Sequence, residues 1–283
     1  MPLAQLIDAS GLADRLSDPD LRIFDCRFAL DDPSYGKRNF EQSHIPGAVY
    51  LDLEQDLSGP VTAGQTGRHP LPQPDRLIDR LREAGLDNDS DVVLYDDGPG
   101  AFAARAWWLL TWLGKRQGVW LLDGGYKAWR EAGGPVTAES QPAQAGQFTG
   151  APENDLLIDA AQLAANLNTP NMRLLDARAL PRFRGDEEPI DPVAGRIPGA
   201  QCMPFAGNLD ENGRFLAPKV LHKRFEPHAQ AAEADRLVAY CGSGVTACHN
   251  LFALCLAGYP MAKLYAGSWS EWINDSQRPV ERG

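Results

Sequence analysis

The sequence predicts an α/β fold in two tandem domains of one kind, each a mostly parallel sheet flanked by helices. Three observations predict it. Short apolar runs alternate with helical stretches, the order expected of parallel sheets. The same order of elements recurs after roughly 150 residues, the spacing of a duplicated domain and not of a solenoid array. The 283 residues, 43% hydrophobic and 23% charged, give two such domains ample length to bury their cores.

In the first copy, residues 21–26 read as a buried strand that ends in Asp25-Cys26-Arg27. His44-Ile45-Pro46-Gly47-Ala48 follows a polar loop and leads into a strand over 49–53. Residues 58–74 are rich in Gly and Pro and read as a loop. A helix is expected over 76–84, stopped by Gly85, then a strand over 92–95 that runs into Asp96-Asp97-Gly98. The helix over 101–113, the strand over 119–122 and the helix over 126–132 complete the copy. The stretch 136–153 is rich in Gly, Pro, Gln and Ala and reads as a linker. It divides an N-terminal domain, 1–135, from a C-terminal domain, 154–283. There a helix over 156–167 and a strand over 172–175 lead to Asp176-Ala177-Arg178, and Arg196-Ile197-Pro198-Gly199-Ala200 echoes 44–48. A helix over 218–229, a strand over 237–240, a helix over 247–257 and a strand over 262–265 follow. The Gly267 to Trp272 segment echoes Gly124 to Trp129.

Composition excludes several classes of function. No apolar run approaches the ~18 residues of a membrane span. Residues 1–8 lack the basic region and apolar core of a secretory signal. A net charge of −11 disfavours nucleic acid as a partner. Five cysteines is an odd count, and their spacing suggests neither a disulfide framework nor a CxxC zinc site. A reducing cytoplasm is the expected compartment, and no membrane association is expected.

The repeat is broken at one informative place. Tyr240 matches Tyr95, so Cys241 takes the position of Asp96. Cys241-Gly242-Ser243-Gly244-Val245-Thr246-Ala247 lies where an apolar strand ends and a helix begins. Free backbone N–H groups and the positive end of the helix dipole converge there and cradle an anion, a thiolate included. Glycines at 242 and 244 let the backbone fold closely around whatever the sulfur carries. One active and one inactive domain is the expected arrangement, with the inactive copy supplying a wall of the cleft.

These residues resemble the rhodanese superfamily in its tandem two-domain form. The resemblance covers nearly the whole chain. It rests on Asp-x-Arg at 25–27 and 176–178, HIPGA at 44–48, RIPGA at 196–200, CGSGVTA at 241–247, and the closing G-x-x-x-x-W elements at 124–129 and 267–272. It implies two tandem rhodanese-like domains and a sulfurtransferase that works through a Cys241 persulfide, with no metal or organic cofactor. It implies a small-molecule sulfur donor, 3-mercaptopyruvate or thiosulfate, and a thiol, cyanide or protein-thiol acceptor. CGSGVTA is most similar to the loop of the mercaptopyruvate-using branch, whereas thiosulfate-using relatives carry basic residues after the cysteine. Related phosphatases use Cys-x5-Arg; the sixth position after Cys241 is Ala247, so a phosphate dianion would lack its bidentate partner.

Backbone N–H groups of Gly242, Gly244, Val245, Thr246 and Ala247 are expected to hold substrate and persulfide. Ser243 either relays a proton or shapes the turn, and Thr246 also suits a helix cap. The resemblance places a substrate-binding arginine at Arg182, with Arg184 a second candidate. It would place another near 188–191, where this chain has Glu188-Pro189-Ile190-Asp191 and no arginine. It also suggests that His44, oriented by Asp31 or Asp32, joins Ser243 in a proton relay. The alternative is that His44 organises its own turn. Arg196 stands where the second IPGA motif usually carries histidine, and either restores the missing charge or faces solvent. Cys248 and Cys255 follow Cys241 at steps of seven and are expected in the core. Besides the enzyme, two other classes fit the pattern. One is a persulfide carrier that docks a protein partner, and the other a catalytically dead binding module, which the intact cysteine loop opposes.

Overall fold

A computed structural model describes residues 2–140, 143–167, 169, 170, 172–233 and 235–283. The chain forms two compact units. One holds the chain up to Gly59 together with Pro72–Glu153 and Asp210–Phe215; the other holds Pro60–Leu71, Asn154–Leu209 and Leu216–Gly283.

The first unit contains β1 (Gln5–Ile7), α1 (Ala9–Ala13), β2 (Leu21–Asp25), α2 (Tyr35–Gln42), β3 (Ala48–Tyr50), α3 (Pro74–Glu83), β4 (Asp91–Tyr95), α4 (Ala101–Trp112), β5 (Val119–Leu122) and α5 (Gly125–Glu131). Its five-stranded sheet has the order β1-β5-β4-β2-β3, with every neighbouring pair parallel. The central strand β4 is buried from Val92 to Tyr95, as the continuous apolar run demands of a strand covered on both faces. α4 is apolar on nearly every side and is correspondingly enclosed, with Trp107 and Trp108 at 0% exposure.

The second unit contains α6 (Ala160–Asn166), β6 (Arg173–Asp176), α7 (Leu180–Arg184), β7 (Gln201–Cys202), α8 (Pro218–Phe225), α9 (Ala229–Glu233), β8 (Leu237–Tyr240), α10 (Thr246–Leu256), β9 (Lys263–Leu264) and α11 (Ser268–Trp272). The order β7-β6-β8-β9 is again parallel throughout. A single parallel bridge from Leu157 to Leu264 stands where β1 lies in the first unit. β8 is interior to this sheet and ends at Tyr240. Cys241 therefore emerges at the carboxyl edge of a parallel sheet, the usual ligand side of such folds.

The duplicated motifs do the same structural work twice. Arg27 Nη2 pairs with Asp25 Oδ2 at 2.7 Å, and Arg178 Nη2 with Asp176 Oδ2 at 2.7 Å. Arg27 lies over the Tyr126 ring and Arg178 over the Trp269 ring. The indole N–H of Trp129 donates to the Pro135 carbonyl, and that of Trp272 to the Pro279 carbonyl, each at 2.9 Å. These buried pairs brace the strand ends. A lone charge there would cost several kcal/mol.

Three expectations differ from the structure. The helix expected over 156–167 starts only at Ala160, after a 3-10 turn at Asn154–Leu156, because Asp159 and Gln162 form a reciprocal capping box. The helix expected over 218–229 breaks after Phe225 into a 3-10 turn at Glu226–His228, where Pro227 has no N–H to continue the ladder. The stretch expected as a linker is anchored over much of its length. Gly146 N donates to the Arg82 carbonyl and Phe148 N to the Leu86 carbonyl, and the Phe148 side chain is buried. Gln141 and Pro142 lie outside the described residues.

Candidate active site

The centre of the site is Cys241, 2% exposed at the end of β8. Its Sγ accepts the Gly244 N–H at 3.1 Å. Its own N–H donates to Ser268 Oγ at 3.0 Å, and its carbonyl accepts from Trp269 N at 3.0 Å. Gly242 O likewise accepts from Ser270 N at 3.0 Å. The cysteine loop is thus stapled to the first turn of α11. Ser268 adopts φ +55° to make this contact, a strained setting of the kind found at functional sites. Gly244 has φ +79°, and a Cβ there would sit 2.3 Å from the Ala266 carbonyl, so only glycine fits. α10 begins at Thr246, and the N–H groups of its first turn lack intrahelical partners.

Two arginines stand over the other glycine. A Cβ on Gly242 would lie 2.8 Å from Arg68 Nη2 and 3.6 Å from both Nη atoms of Arg182. Arg182 Nε and Nη2 donate to Glu188 Oε1 at 3.0 and 2.7 Å, and Nη2 also reaches Asp191 Oδ2 at 3.1 Å. Arg68 Nη1 pairs with Asp191 Oδ1. Among the described residues, Arg68 Nη2 and Arg182 Nη1 have no hydrogen-bond partner. Both belong to guanidiniums that approach Gly242 beside the sulfur.

Ser243, 6% exposed, makes its hydroxyl contact with His69 Nδ1 at 2.8 Å. His69 is buried at 3%. Arg68 and His69 come from the Gly- and Pro-rich loop of the N-terminal half. Arg68 N donates to Ser270 Oγ at 3.1 Å, and Asn274 Nδ2 donates to the Thr66 carbonyl at 2.9 Å. These bonds hold the loop in the second unit.

Of the residues expected at the site, Gly242, Ser243, Gly244, Val245, Thr246 and Ala247 share the loop and helix start with Cys241, and Arg182 faces Gly242. Arg184 is exposed on α7, and its carbonyl accepts from Gly283 N at 2.9 Å. Arg196 pairs with Glu281 and lies over the Phe183 ring, a role local to the chain end. His44 does not supply the hydrogen-bond partner of Ser243. It stacks on Phe40 at 3.9 Å, its Nδ1 is 2.7 Å from the Phe40 carbonyl, and its backbone pairs with Thr137, so it is fixed in its own turn. Asp32 is engaged by Arg38 and Ser34, not by His44. The partner of Ser243 is His69. Neither His69 nor Arg68 was singled out by motif, because the loop that carries them has no periodicity. An Arg-His pair in a long irregular loop was the available signal.

The other cysteines have different surroundings. Burial pushes the Cys26 thiol well above its ordinary value, and Asp25 and Asp96 add to this. Cys202 is raised by burial and by Asp176. Cys248 Sγ donates to the Gly244 carbonyl at 3.2 Å, and Cys255 is buried at 7%. Among the described residues no cluster of His, Cys, Asp and Glu could hold a metal ion, and no helix is long and apolar enough to cross a membrane.

Two parallel-sheet units, the second carrying a buried cysteine at the carboxyl edge of its sheet on a glycine-rich loop, define the frame of the site. The rhodanese-like domain family matches residues 8–132 and 159–275. The chain is 63% identical over 283 residues to a probable 3-mercaptopyruvate sulfurtransferase of Pseudomonas aeruginosa, covering all of both chains. It is 42% identical to a putative thiosulfate sulfurtransferase of Mycobacterium tuberculosis, covering 98% of this chain and 97% of that one. Among solved structures it resembles the 3-mercaptopyruvate sulfurtransferase of Leishmania major, with TM-score 0.83, 30% identity, and coverage of 99% of this chain and 76% of that one. SseA of Escherichia coli aligns with TM-score 0.80 and 29% identity over 95% of this chain and all of its own. The chain belongs to the rhodanese family and is a sulfurtransferase enzyme.

Proposed function

We propose that the protein transfers a sulfur atom from 3-mercaptopyruvate to a thiol or cyanide acceptor through a persulfide on Cys241. The observation that carries this reading is the set of groups around the sulfur. A neutral Gly242-Ser243 pair lies next to Cys241, two arginine edges approach Gly242, and Ser243 is hydrogen-bonded to His69. The arginine edges suit the donor carboxylate. The Cys241 thiolate attacks the donor sulfur and the C–S bond breaks. The departing pyruvate enolate takes a proton at carbon through Ser243 and His69. The persulfide is held by the Gly244 N–H and the first turn of α10. The acceptor then attacks the outer sulfur, the S–S bond breaks, and the Cys241 thiolate returns. Five free cysteines fit a reducing compartment, and we place the protein in the cytoplasm.

The similarity to a putative thiosulfate sulfurtransferase favours thiosulfate as the second donor to test. Steady-state assays with both donors, with cyanide as acceptor, separate the readings. A much larger kcat/KM for thiosulfate would overturn the preference for mercaptopyruvate. The intermediate is checked by intact mass after exposure to each donor. One added sulfur, lost on reduction and absent from Cys241→Ser, is expected.

A further inference from the structure

The arginine clamp over Gly242 is built on a carboxylate that the enzyme's chemistry does not require. The Asp191 side chain, 4% exposed, sits between the two arginines. Its Oδ1 takes Arg68 Nη1 and its Oδ2 takes Arg182 Nη2. Glu188, also 4% exposed at its side chain, takes the rest of the inner edge of Arg182 and reaches Arg178 Nη1 at 3.3 Å. Glu188 is in turn fixed by the N–H groups of Ile190 and Asp191, at 3.2 and 3.1 Å.

Two consequences follow. The first is geometric: Arg182 is gripped along its Nε–Nη2 edge and Arg68 at Nη1, which leaves Arg182 Nη1 and Arg68 Nη2 toward the space over Gly242. The second is electrostatic. Arg68 and Arg182 are balanced by Asp191 and Glu188, and Arg178 by Asp176. An incoming anion meets two directional donors and no surplus of positive charge. A single carboxylate can be chelated by such a pair. A compact dianion also loses its hydration shell there, against the buried Asp191 carboxylate, and lacks the net charge to offset that loss.

We propose that Asp191 is the residue that sets donor selectivity: it positions Arg68 and Arg182 and cancels their excess charge, so that a monoanionic carboxylate donor is favoured over a dianionic one. This rests on the functional reading above and deepens it. Asp191 touches no reacting atom. It acts through the two arginines.

The test is Asp191→Asn in the full-length protein, which keeps the size and one acceptor oxygen and removes the charge. Thiosulfate and mercaptopyruvate are compared at steady state, with sulfate as an inert dianionic inhibitor. Relative to the wild type, the thiosulfate-to-mercaptopyruvate ratio of kcat/KM is expected to rise about tenfold, mainly through KM. Sulfate should inhibit at several-fold lower concentration. Arg68→Gln removes a positive charge instead, should lower the same ratio, and decides the matter if Asp191→Asn does not fold. An unchanged ratio, or an equal fall in kcat for both donors with unchanged sulfate inhibition, overturns the role of Asp191. A wild-type protein that forms no Cys241 persulfide with either donor overturns the functional reading itself, which is a different result.

Discussion

The two copies of the strand-end loop solve one problem in opposite ways. In the second unit the loop surrounds Cys241, whose sulfur accepts the Gly244 N–H. In the first unit the same position is Asp96, and its carboxylate fills the loop. Oδ1 accepts from Gly98 and Gly100 N–H at 3.0 and 2.9 Å, and Oδ2 from Phe102 and Ala103 N–H at 2.9 and 3.3 Å. Burial pushes the Asp96 carboxyl up from its ordinary value, and the four N–H groups oppose that. The difference teaches what the loop is: a socket for an anion, satisfied from within by a carboxylate in one copy and, on the function proposed above, by the sulfur that Cys241 carries in the other. The frame around it is common to both, so the chemistry depends on the occupant and on the side chains that overlook it.

The comparison breaks most sharply at the nucleophile. Cys241→Ser should lower turnover by at least about a thousandfold, with the fold intact by circular dichroism. Adding Asp96→Cys to that variant should restore no persulfide by intact mass, because the first-unit loop has Gly98 in the place of Ser243. Restored transfer would mean that the socket alone suffices. The next effect is on stability. Asp96→Ala strips the socket of its anion and leaves four N–H donors unmet, at a cost of about 2–4 kcal/mol in urea unfolding. A loss below ~1 kcal/mol would show that water replaces the carboxylate without penalty.

His69→Ala and Ser243→Ala should each lower kcat for mercaptopyruvate by roughly 10- to 100-fold with little change in KM. The double variant should be no worse than the poorer single one, as for two members of one relay. Additive losses would separate their roles. The smallest effect concerns Asp97, next to the first socket, whose carboxyl is pushed up to about 6, chiefly by burial. A carboxyl with a raised folded-state value favours folding when protonated and loses that contribution as pH rises through about 6. Asp97→Asn should therefore stabilise the protein at pH 8, by on the order of 1 kcal/mol given its partial exposure, and bring no gain near pH 4. Urea midpoints at the two pH values check this.

Much of this was legible in the sequence, for identifiable reasons. The buried strands at 92–95, 119–122 and 237–240 are unbroken apolar runs, and the Asp-x-Arg pairs, the Trp anchors and the cysteine loop depend on near neighbours in the chain. Strands as short as β1 and β7, and helices as short as α1 and α7, carry too few turns or alternations to register. Arg68 and His69 were illegible for another reason. Their place is set by bonds such as Arg68 N to Ser270 Oγ, between residues 202 apart, and no local pattern encodes a pairing at that distance. Asp191 was visible only as the lack of an arginine. That it gathers two arginines follows from the docking of the same loop.

The passage of Pro60–Leu71 into the second unit has a consequence for how such a chain can be taken apart. The seam left by duplication lies near residue 150, but the working centre does not respect it. A fragment beginning at the seam would carry Cys241 and Arg182 without the imidazole that meets Ser243 and without one of the two guanidiniums. The first copy carries Asp96 where the second carries Cys241, and the stretch Pro60–Leu71 that follows its early strands belongs to the second unit. Recombination at the seam would yield a tidy domain that lacks Arg68 and His69, two side chains that the second unit draws from before the seam.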